Sequence, residues 1–210
     1  MTNEIIKYFP YLTDNQQLQL QDMASLFREL NEKVNVVSRK DIDNIEINHI
    51  LHSLSIAKYI NFVPGSSIVD LGTGGGLPGL PLAVMFPEVH FHLIDRVGKK
   101  VNVAKEIADK IGLKNVSFQH GDMGECHEKF DFVVARAVTD LPSLMKIVKN
   151  NISPVNQNSQ PNGLITLKGG DLNHELGKFA SISEVVPISN YFNEPYFETK
   201  KIVYTPVIQH

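Results

Sequence analysis

The sequence predicts an α/β protein in which a mostly parallel sheet is flanked by helices and preceded by an N-terminal helical extension. Three observations predict this class. Apolar residues recur at helical spacing before residue 60, short β-rich runs alternate with helical stretches after Gly65, and a glycine-rich turn follows the first of those runs. The length of 210 residues fits one globular unit. We divide it into an extension over residues 1–64 and a core over residues 65–210.

The extension is predicted to contain two amphipathic helices. From Asp14 to about Val34, apolar residues recur at spacings of three and four, and Asp14 is the predicted N-cap. A second helical pattern runs from about residue 41 to residue 60, where Pro64-Gly65 would prevent its continuation.

The core is predicted to alternate strands with helices. The predicted strands are Ser67–Leu71, His90–Asp95, Val116–Gln119, Phe130–Ala135, Leu164–Lys168, Ser183–Ile188 and Lys201–Pro206. The predicted helices lie near Pro78–Phe86, Gly98–Ile111 and Asp140–Asn150, with Gly112 as a helix C-cap. The polar run Ser153–Asn162 is predicted to be a surface loop.

The composition argues against several classes of protein. No stretch approaches the roughly 20 apolar residues of a membrane helix, and no basic leader precedes an apolar segment, so we expect a cytoplasmic protein with no membrane partner. The single cysteine, Cys126, can form neither an intrachain disulfide nor a cysteine-based zinc site, and no metal is expected.

The net charge of -3 is not typical of a nucleic-acid-binding protein, which usually carries a basic excess. Local basic clusters nevertheless offer candidate phosphate contacts. These clusters are Arg39-Lys40, Lys99-Lys100 with Arg96, and Lys200-Lys201. Each cluster taken alone is equally consistent with a solvated surface.

The most informative motif is the run from Asp70 to Gly79, DLGTGGGLPG, which lies between a predicted strand and a predicted helix. In a wound parallel sheet such a turn lies at the carboxyl ends of the strands, where ligands bind. Gly72, Gly74 and Gly76 let the backbone turn tightly and approach a ligand. Pro78 suits the first turn of the helix that follows.

Two classes of cofactor fit this turn. Gly74-x-Gly76-x-x-Gly79 matches the dinucleotide fingerprint, which points to a nicotinamide or flavin enzyme. The longer pattern, with Asp70 immediately before the glycines, favours S-adenosylmethionine, because a carboxylate suits its cationic sulfonium and amino group. Asp95, at the end of the next strand, suits the ribose hydroxyls of either cofactor.

Two later strands are predicted to add residues at the same edge of the sheet. Asp122, Met123 and Gly124 follow the third strand, where a carboxylate and backbone N–H groups could recognise an adenine edge. Arg136 ends the fourth strand and would enter the same crevice. A plain turn residue for Asp122 and a surface salt bridge for Arg136 are the structural alternatives.

These motifs together resemble the bacterial small-subunit (16S) ribosomal RNA guanine-N7 methyltransferase family, also called the glucose-inhibited division protein B family. The resemblance spans nearly the whole chain, and its most specific part is the run from Val69 to Ala83, VDLGTGGGLPGLPLA. Supporting matches are Asn35–Ser38, Asp41, His49–Leu51, Ser53, Asp95, Gly98–Lys100, Arg136-Ala137 and Leu167–Gly169. The chain departs from the family pattern at Gly75, at His52 and over Asp122–Gly124.

The resemblance implies a Rossmann-like class I S-adenosylmethionine-dependent methyltransferase fold with a seven-stranded, mostly parallel sheet. It implies methyl transfer to N7 of a guanine in 16S rRNA, at nucleotide 527 in the family's reference RNA numbering, with S-adenosylhomocysteine as product. It places Gly72, Leu77, Met123-Gly124 and Arg136 at the cofactor, Asp95 at the ribose, and His49 near the same region.

The resemblance also implies that Lys168 and the Lys99-Lys100 pair face the RNA. N7 of guanine owns a free lone pair, so no general base is expected, and we expect Arg136 to orient the reacting groups. The partner is then 16S rRNA or the small ribosomal subunit, with the enzyme expected to be a monomer. The alternatives are a methyltransferase with another substrate, a nicotinamide-dependent oxidoreductase, and a non-enzymatic sensor of an adenosine ligand.

Overall fold

The computed structural model describes residues 3–172 and 175–207, and within them the chain is built around one seven-stranded sheet. The strands are β1 (Ser67–Leu71), β2 (His90–Asp95), β3 (Val116–His120), β4 (Phe132–Arg136), β5 (Gly163–Gly169), β6 (Glu184–Pro187) and β7 (Lys200–Pro206). Their order across the sheet is β3-β2-β1-β4-β5-β7-β6. The first five are parallel, and β7 runs antiparallel to both β5 and β6. The predicted fold class is confirmed.

Parallel pairing places the carboxyl ends of β1 to β5 at one edge of the sheet. The centres of β1, β2 and β4 are buried on both faces, which is why these strands read as apolar runs. The chain order reverses between β1 and β4, so a crevice opens at their carboxyl ends. The turns after β1, β2, β3 and β4 all face this crevice.

Six α-helices are described. They are α1 (Asn3–Tyr8), α2 (Asp14–Asn31), α3 (His52–Tyr59), α4 (Gly79–Met85), α5 (Gly98–Lys110) and α6 (Leu141–Val148). Short 3-10 turns lie at Ile42–Asn44, Met123–Glu125, Lys149–Asn151, Gly177–Phe179, Ile188–Asn190 and Pro195–Phe197. Among the described residues, no helix combines the length and the apolar character that crossing a bilayer requires. Helix α1 has only six residues, too few to show helical periodicity, and was not predicted.

Two details of the predicted helix boundaries are wrong. The N-cap of α2 is Thr13, because Thr13 and Gln16 form a reciprocal capping box that leaves Asp14 inside the first turn. Pro78 takes the N-cap position of α4, one residue before the helix begins. Gly112 has the left-handed conformation expected of a glycine that ends a helix, with a φ of 75° and its N–H bonded to the carbonyl of Asp109, and it directly follows the C-cap residue Ile111.

The predicted single helix over residues 41–60 is wrong. It is divided into the 3-10 turn Ile42–Asn44, a π-helical segment Glu46–Leu51 and α3. Hydrogen bonds in a π-helix span one residue more than in an α-helix, so the segment is wider. Sequence periodicity does not reveal this widening, because the apolar residues still recur on one side. His49 lies within the widened segment.

The N-terminal helices share the hydrophobic core of the sheet. Leu20, Met23 and Phe27 of α2 belong to the same buried cluster as Ile68 and Phe91 of the central strands. The helical layer therefore covers one face of the sheet and carries its own residues to the edge of the crevice. The division into an extension over 1–64 and a core over 65–210 stays a prediction.

Candidate functional site

Two neighbouring cavities open at the carboxyl ends of the strands. The glycine cavity has a volume of about 570 Å³ and is lined by Leu71, Gly72, Ile94, Asp95, Arg96, Lys100, Gly121, Asp122, Met123, Ser143 and Ile147. The arginine cavity has a volume of about 590 Å³ and is lined by His49, His52, Arg136, Asp140, Leu167, Lys168, Gly169, Glu175, Tyr196 and Lys200. Ala137, Val138 and Thr139 line both, so this stretch is the partition between them.

The turn after β1 is held by Asp70, which is fully buried. Its Oδ2 accepts a hydrogen bond from Thr73 Oγ1 at 2.6 Å and another from the backbone N–H of Gly79 at 2.7 Å. Burial raises the pKa of this carboxyl to about 7, although the two hydrogen bonds and the charge of Arg136 oppose the shift. Asp70 does not line the glycine cavity. Its side chain instead occupies the N-terminus of α4.

Gly72 and Asp95 form the wall of the glycine cavity nearest the turn. Gly72 has a φ of 69°, and a Cβ added to it would lie 3.3 Å from Val138 Cγ2, so both conformation and space favour glycine. Asp95 accepts from the N–H of Gly74 at 2.8 Å and from the N–H of Val97 at 2.8 Å. Both carboxylate oxygens are therefore fixed by backbone groups and keep lone pairs for hydroxyl donors.

Three of the predicted cofactor positions lie behind this wall rather than on it. Gly74, Gly76 and Leu77 do not line the glycine cavity, and Leu77 is buried in the main hydrophobic cluster. They shape the turn, which in turn positions Gly72 and Asp95.

The far wall of the glycine cavity comes from the 3-10 turn Met123–Glu125. Asp122 caps this turn by accepting from the N–H of Gly124 at 2.9 Å, and it forms an ion pair with Arg96. The Gly124 N–H and Arg96 lower the pKa of Asp122. Asp122 and Met123 line the cavity, whereas Gly124 is exposed and does not.

Arg136 lines the arginine cavity rather than the glycine cavity. Its Nη1 lies 2.9 Å from His49 Nδ1. A guanidinium can only donate, so His49 Nδ1 accepts and the ring proton is on Nε2. Burial, followed by the nearby Arg136 charge, lowers the pKa of His49 to about 3. His49 is therefore a neutral acceptor that orients Arg136.

Burial and the neighbouring groups have opposite effects on the pKa of Arg136. Burial lowers its pKa, whereas Tyr196, Asp70 and Asp41 favour its charged form. Guanidinium keeps its proton in proteins, so Arg136 is a cation at the floor of the arginine cavity. His52, which stands where the family pattern has aspartate, is buried here with Nδ1 3.4 Å from Tyr196 Oη.

Lys168 is a buried residue of the arginine cavity. Only 9% of its side chain is exposed, its Nζ donates to the carbonyl oxygen of Thr139 at 2.6 Å, and it forms an ion pair with Glu175. Lys200 lines the same cavity, with its Nζ 4.8 Å from the ring centre of Tyr196. The side chains of both lysines therefore line a cavity.

The other basic residues predicted to contact RNA are spread over the surface. Arg39, Lys40 and Lys99 are exposed, Lys100 lines the glycine cavity, and Lys201 donates to the carbonyl of Gly170 at 2.8 Å. Among the described residues, no cluster of histidine, cysteine and acidic side chains could hold a metal ion.

Glu175, Tyr196 and Thr139 are site residues that the sequence analysis did not identify. Glu175 lies in the irregular stretch between β5 and β6, and Tyr196 lies in the 3-10 turn Pro195–Phe197 between β6 and β7. Periodicity gives no signal in either place. Thr139 could have been found from its position just before the N-cap Asp140, three residues after Arg136.

The amino-acid sequence matches one family model over residues 16–184, that of GidB, rRNA small subunit methyltransferase G. A relative from Bacteroides thetaiotaomicron, named ribosomal RNA small subunit methyltransferase G, is 54% identical over 203 residues, covering 97% of this chain and 98% of the relative. A relative of the same name from Porphyromonas gingivalis is 49% identical over 207 residues, covering 98% and 94%.

Solved structures from Aquifex aeolicus share the fold. The tRNA (m1A58) methyltransferase TrmI has a TM-score of 0.57 at 19% identity, covering 75% of this chain and 68% of that chain. A SAM-dependent methyltransferase has a TM-score of 0.53 at 17% identity, covering 74% and 89%.

Proposed function

The chain belongs to the rRNA small subunit methyltransferase G family, and from this membership we propose that it methylates N7 of one guanine in 16S rRNA, with S-adenosylmethionine as donor. The observation that carries the proposal is the pair of cavities separated only by Ala137–Thr139. A donor in one and a base in the other would meet at the edge of this stretch, where the two cavities adjoin.

The glycine cavity fits S-adenosylmethionine. Its volume lies in the range of small-molecule sites, Asp95 offers two fixed acceptors for ribose hydroxyls, and Ile94, Met123 and Ile147 offer apolar surface for an adenine ring. A dinucleotide fits less well. Its pyrophosphate would need the N-terminus of α4, and there the N–H of Gly79 already bonds to the buried Asp70.

When bound, S-adenosylmethionine supplies a methyl group on positively charged sulfur, and its transfer to the N7 lone pair leaves neutral S-adenosylhomocysteine and moves the positive charge to the purine. No proton is removed, so no base is needed. His49 is not available as one, because its Nδ1 is occupied by Arg136. We assign Arg136 the task of orienting the base through an acceptor such as the guanine carbonyl, with catalysis arising mainly from alignment.

The basic residues of this chain account for only part of the proposed RNA contact. Arg39, Lys40 and Lys99 are exposed, but the chain has a net charge of -3. We propose that the substrate is the assembled small subunit, whose proteins and folded RNA supply part of the contact. A cytoplasmic location and a monomeric enzyme belong to the same proposal.

The test uses purified full-length protein, labelled S-adenosylmethionine and small subunits from cells that lack this modification. We expect transfer to a single guanine, read as one 7-methylguanosine by mass spectrometry of nuclease digests, and none to subunits already modified. Transfer to another RNA or to a small molecule, and not to the small subunit, would show that the proposed substrate is wrong. Binding of the donor without any transfer would indicate a sensor and overturn the enzymatic assignment.

A further inference from the structure

We propose that Lys168 and Glu175 read the Watson–Crick edge of the target base, and that Glu175 also stabilises the positive charge that methylation places on the purine. This inference rests on the proposed function, because it assigns the specificity of the same site. It starts from the ion pair between these residues, which lies inside the arginine cavity beside the partition.

The positions of the two charges are fixed by neighbouring backbone. Lys168 Nζ bonds to the carbonyl of Thr139, which belongs to the partition. The carbonyl of Glu175 accepts from the N–H of Leu141, the first residue of α6, and the N–H of Glu175 bonds to the carbonyl of Leu172. The contacts therefore run from the carbonyl of Thr139 in the partition to the ammonium of Lys168, and from the ammonium to the carboxylate of Glu175.

The edge of a guanine base presents its groups in the same order. N7 must face the partition to receive the methyl group, the O6 acceptor lies next to it, and the N1–H and N2 amino donors follow. Lys168 would donate to O6, and Glu175 would accept from N1–H and the N2 amino group. Both side chains keep capacity for this, since an ammonium has three donors and a carboxylate has about four acceptor sites.

Adenine would conflict with both residues. Its N6 amino donor would face the ammonium of Lys168, and its N1 acceptor would face the carboxylate of Glu175. Like groups that face each other form no hydrogen bond, so the edge of adenine would leave water without gaining partners in the site. The pair therefore selects guanine over adenine.

Glu175 also offsets the positive charges that surround the base. Arg136 and Lys168 are cations, and both oppose the positive charge that develops on the purine. Methylation at N7 makes N1–H more acidic, so its hydrogen bond to Glu175 strengthens as the reaction proceeds. An interaction that is stronger in the transition state than in the ground state raises turnover.

The test combines protein variants with a change in the base. Small subunits are reconstituted with ligated 16S rRNA that carries either guanine or inosine at the methylated position, and they are incubated with wild type, Glu175→Gln and Glu175→Ala. Inosine lacks only the N2 amino group. We expect the wild type to prefer guanine over inosine by about tenfold in kcat/KM, as for a hydrogen bond to a charged group. We expect Glu175→Ala to be slower on guanine and to lose the preference.

The Gln variant keeps a neutral acceptor for Lys168 and is therefore the variant that is expected to fold normally. Its preference for guanine over inosine should fall toward that of the Ala variant. Glu88→Gln is the matched control, because Glu88 is exposed at the amino end of β2. If both Glu175 variants turn over more slowly but still prefer guanine, the ion pair has only a structural role and does not recognise the base. Wild type that prefers neither base also overturns the inference. Wild type that methylates no small-subunit RNA overturns instead the proposed function.

Discussion

The two cavities are built in different ways. The glycine cavity is formed by consecutive turns whose backbone N–H groups are held by Asp70, Asp95 and Asp122. The arginine cavity is formed by side chains from the helical layer, from β4, β5 and β7, and from the segments that follow β5 and precede β7. They are held by contacts such as that of His49 with Arg136. Short-range backbone anchoring produces a recognisable motif, whereas long-range side-chain assembly leaves no compact signature in the sequence.

The largest expected effect is on the pH dependence of stability, through Asp70 in the turn after β1. Asp70 has a pKa of about 7 in the folded protein against an ordinary value of 3.8, so the unfolded chain releases this proton first as pH rises. Its stabilising contribution to the free energy of unfolding is therefore fully present below about pH 4 and is lost as the pH rises to about 7. The loss is on the order of 4 kcal/mol. His49, with its lowered pKa, contributes the opposite slope from about pH 3 to 6.5.

Asp70→Asn isolates the first contribution, because asparagine keeps an acceptor for Gly79 but does not titrate. Urea unfolding of both proteins from pH 4 to 7.5 should show the stability of wild type relative to the variant falling with pH. Parallel curves for the two proteins would place the pKa of Asp70 near its ordinary value and remove this account of the turn.

The second effect separates the two cavities by function. Arg136→Ala should reduce kcat for methyl transfer about a hundredfold, as for loss of one positioned donor, while the affinity for S-adenosylmethionine changes by less than about threefold. Arg136→Lys keeps the charge without the planar fork and should recover only part of the rate. Turnover and calorimetry of the same preparations give the comparison. A large loss of cofactor affinity would instead place Arg136 at the cofactor.

The mirror-image effect is expected for the glycine cavity. Asp95→Asn should weaken the binding of S-adenosylmethionine about tenfold, because one charged acceptor for the ribose is lost, and should leave kcat at saturating cofactor nearly unchanged. The control is Asp109→Asn on the exposed face of α5. Unaltered cofactor affinity in the Asp95 variant would contradict the assignment of this cavity.

The smallest effect lies outside both cavities. Lys99→Ala should reduce the salt dependence of small-subunit binding by about 0.8 in the slope of log K against log salt, as for one lost phosphate contact. Lys114→Ala, exposed beyond the other end of α5, should leave the slope unchanged. Filter binding at several salt concentrations measures both. Equal slopes for all three proteins would remove Lys99 from the RNA surface.

The sequence was sufficient for the sheet and for the turns. Strands β1 and β2 begin and end where their apolar runs predict, because both are buried on two faces and bounded by polar or glycine residues. The same strand ends located Gly72 and Asp95, although Asp95 is fixed by the N–H of Gly74 from the turn after β1 as well as by the N–H of Val97 beside it. The role of Asp70 was not predicted, since its hydrogen bond to Gly79 depends on how the chain returns after the turn.

The arginine cavity could not be assembled from the sequence alone. Glu175 meets Lys168 through an irregular segment that folds back over α6, and no period or motif encodes that path. The family resemblance implied that Lys168 faces the RNA, but not that a carbonyl and a carboxylate would hold its side chain at the wall of the arginine cavity. The π-helical segment that carries His49 was likewise hidden by a continuous helical pattern.

The partition Ala137–Thr139 has its own consequence. Ala137 adopts a left-handed backbone conformation with a φ of 52°, and Val138 packs toward Gly72. Any adjustment of these three residues that improves the fit of one ligand must alter the lining offered to the other. If the cavities hold donor and RNA as proposed, whatever factor the donor applies to RNA affinity, the RNA must apply to donor affinity in equal measure.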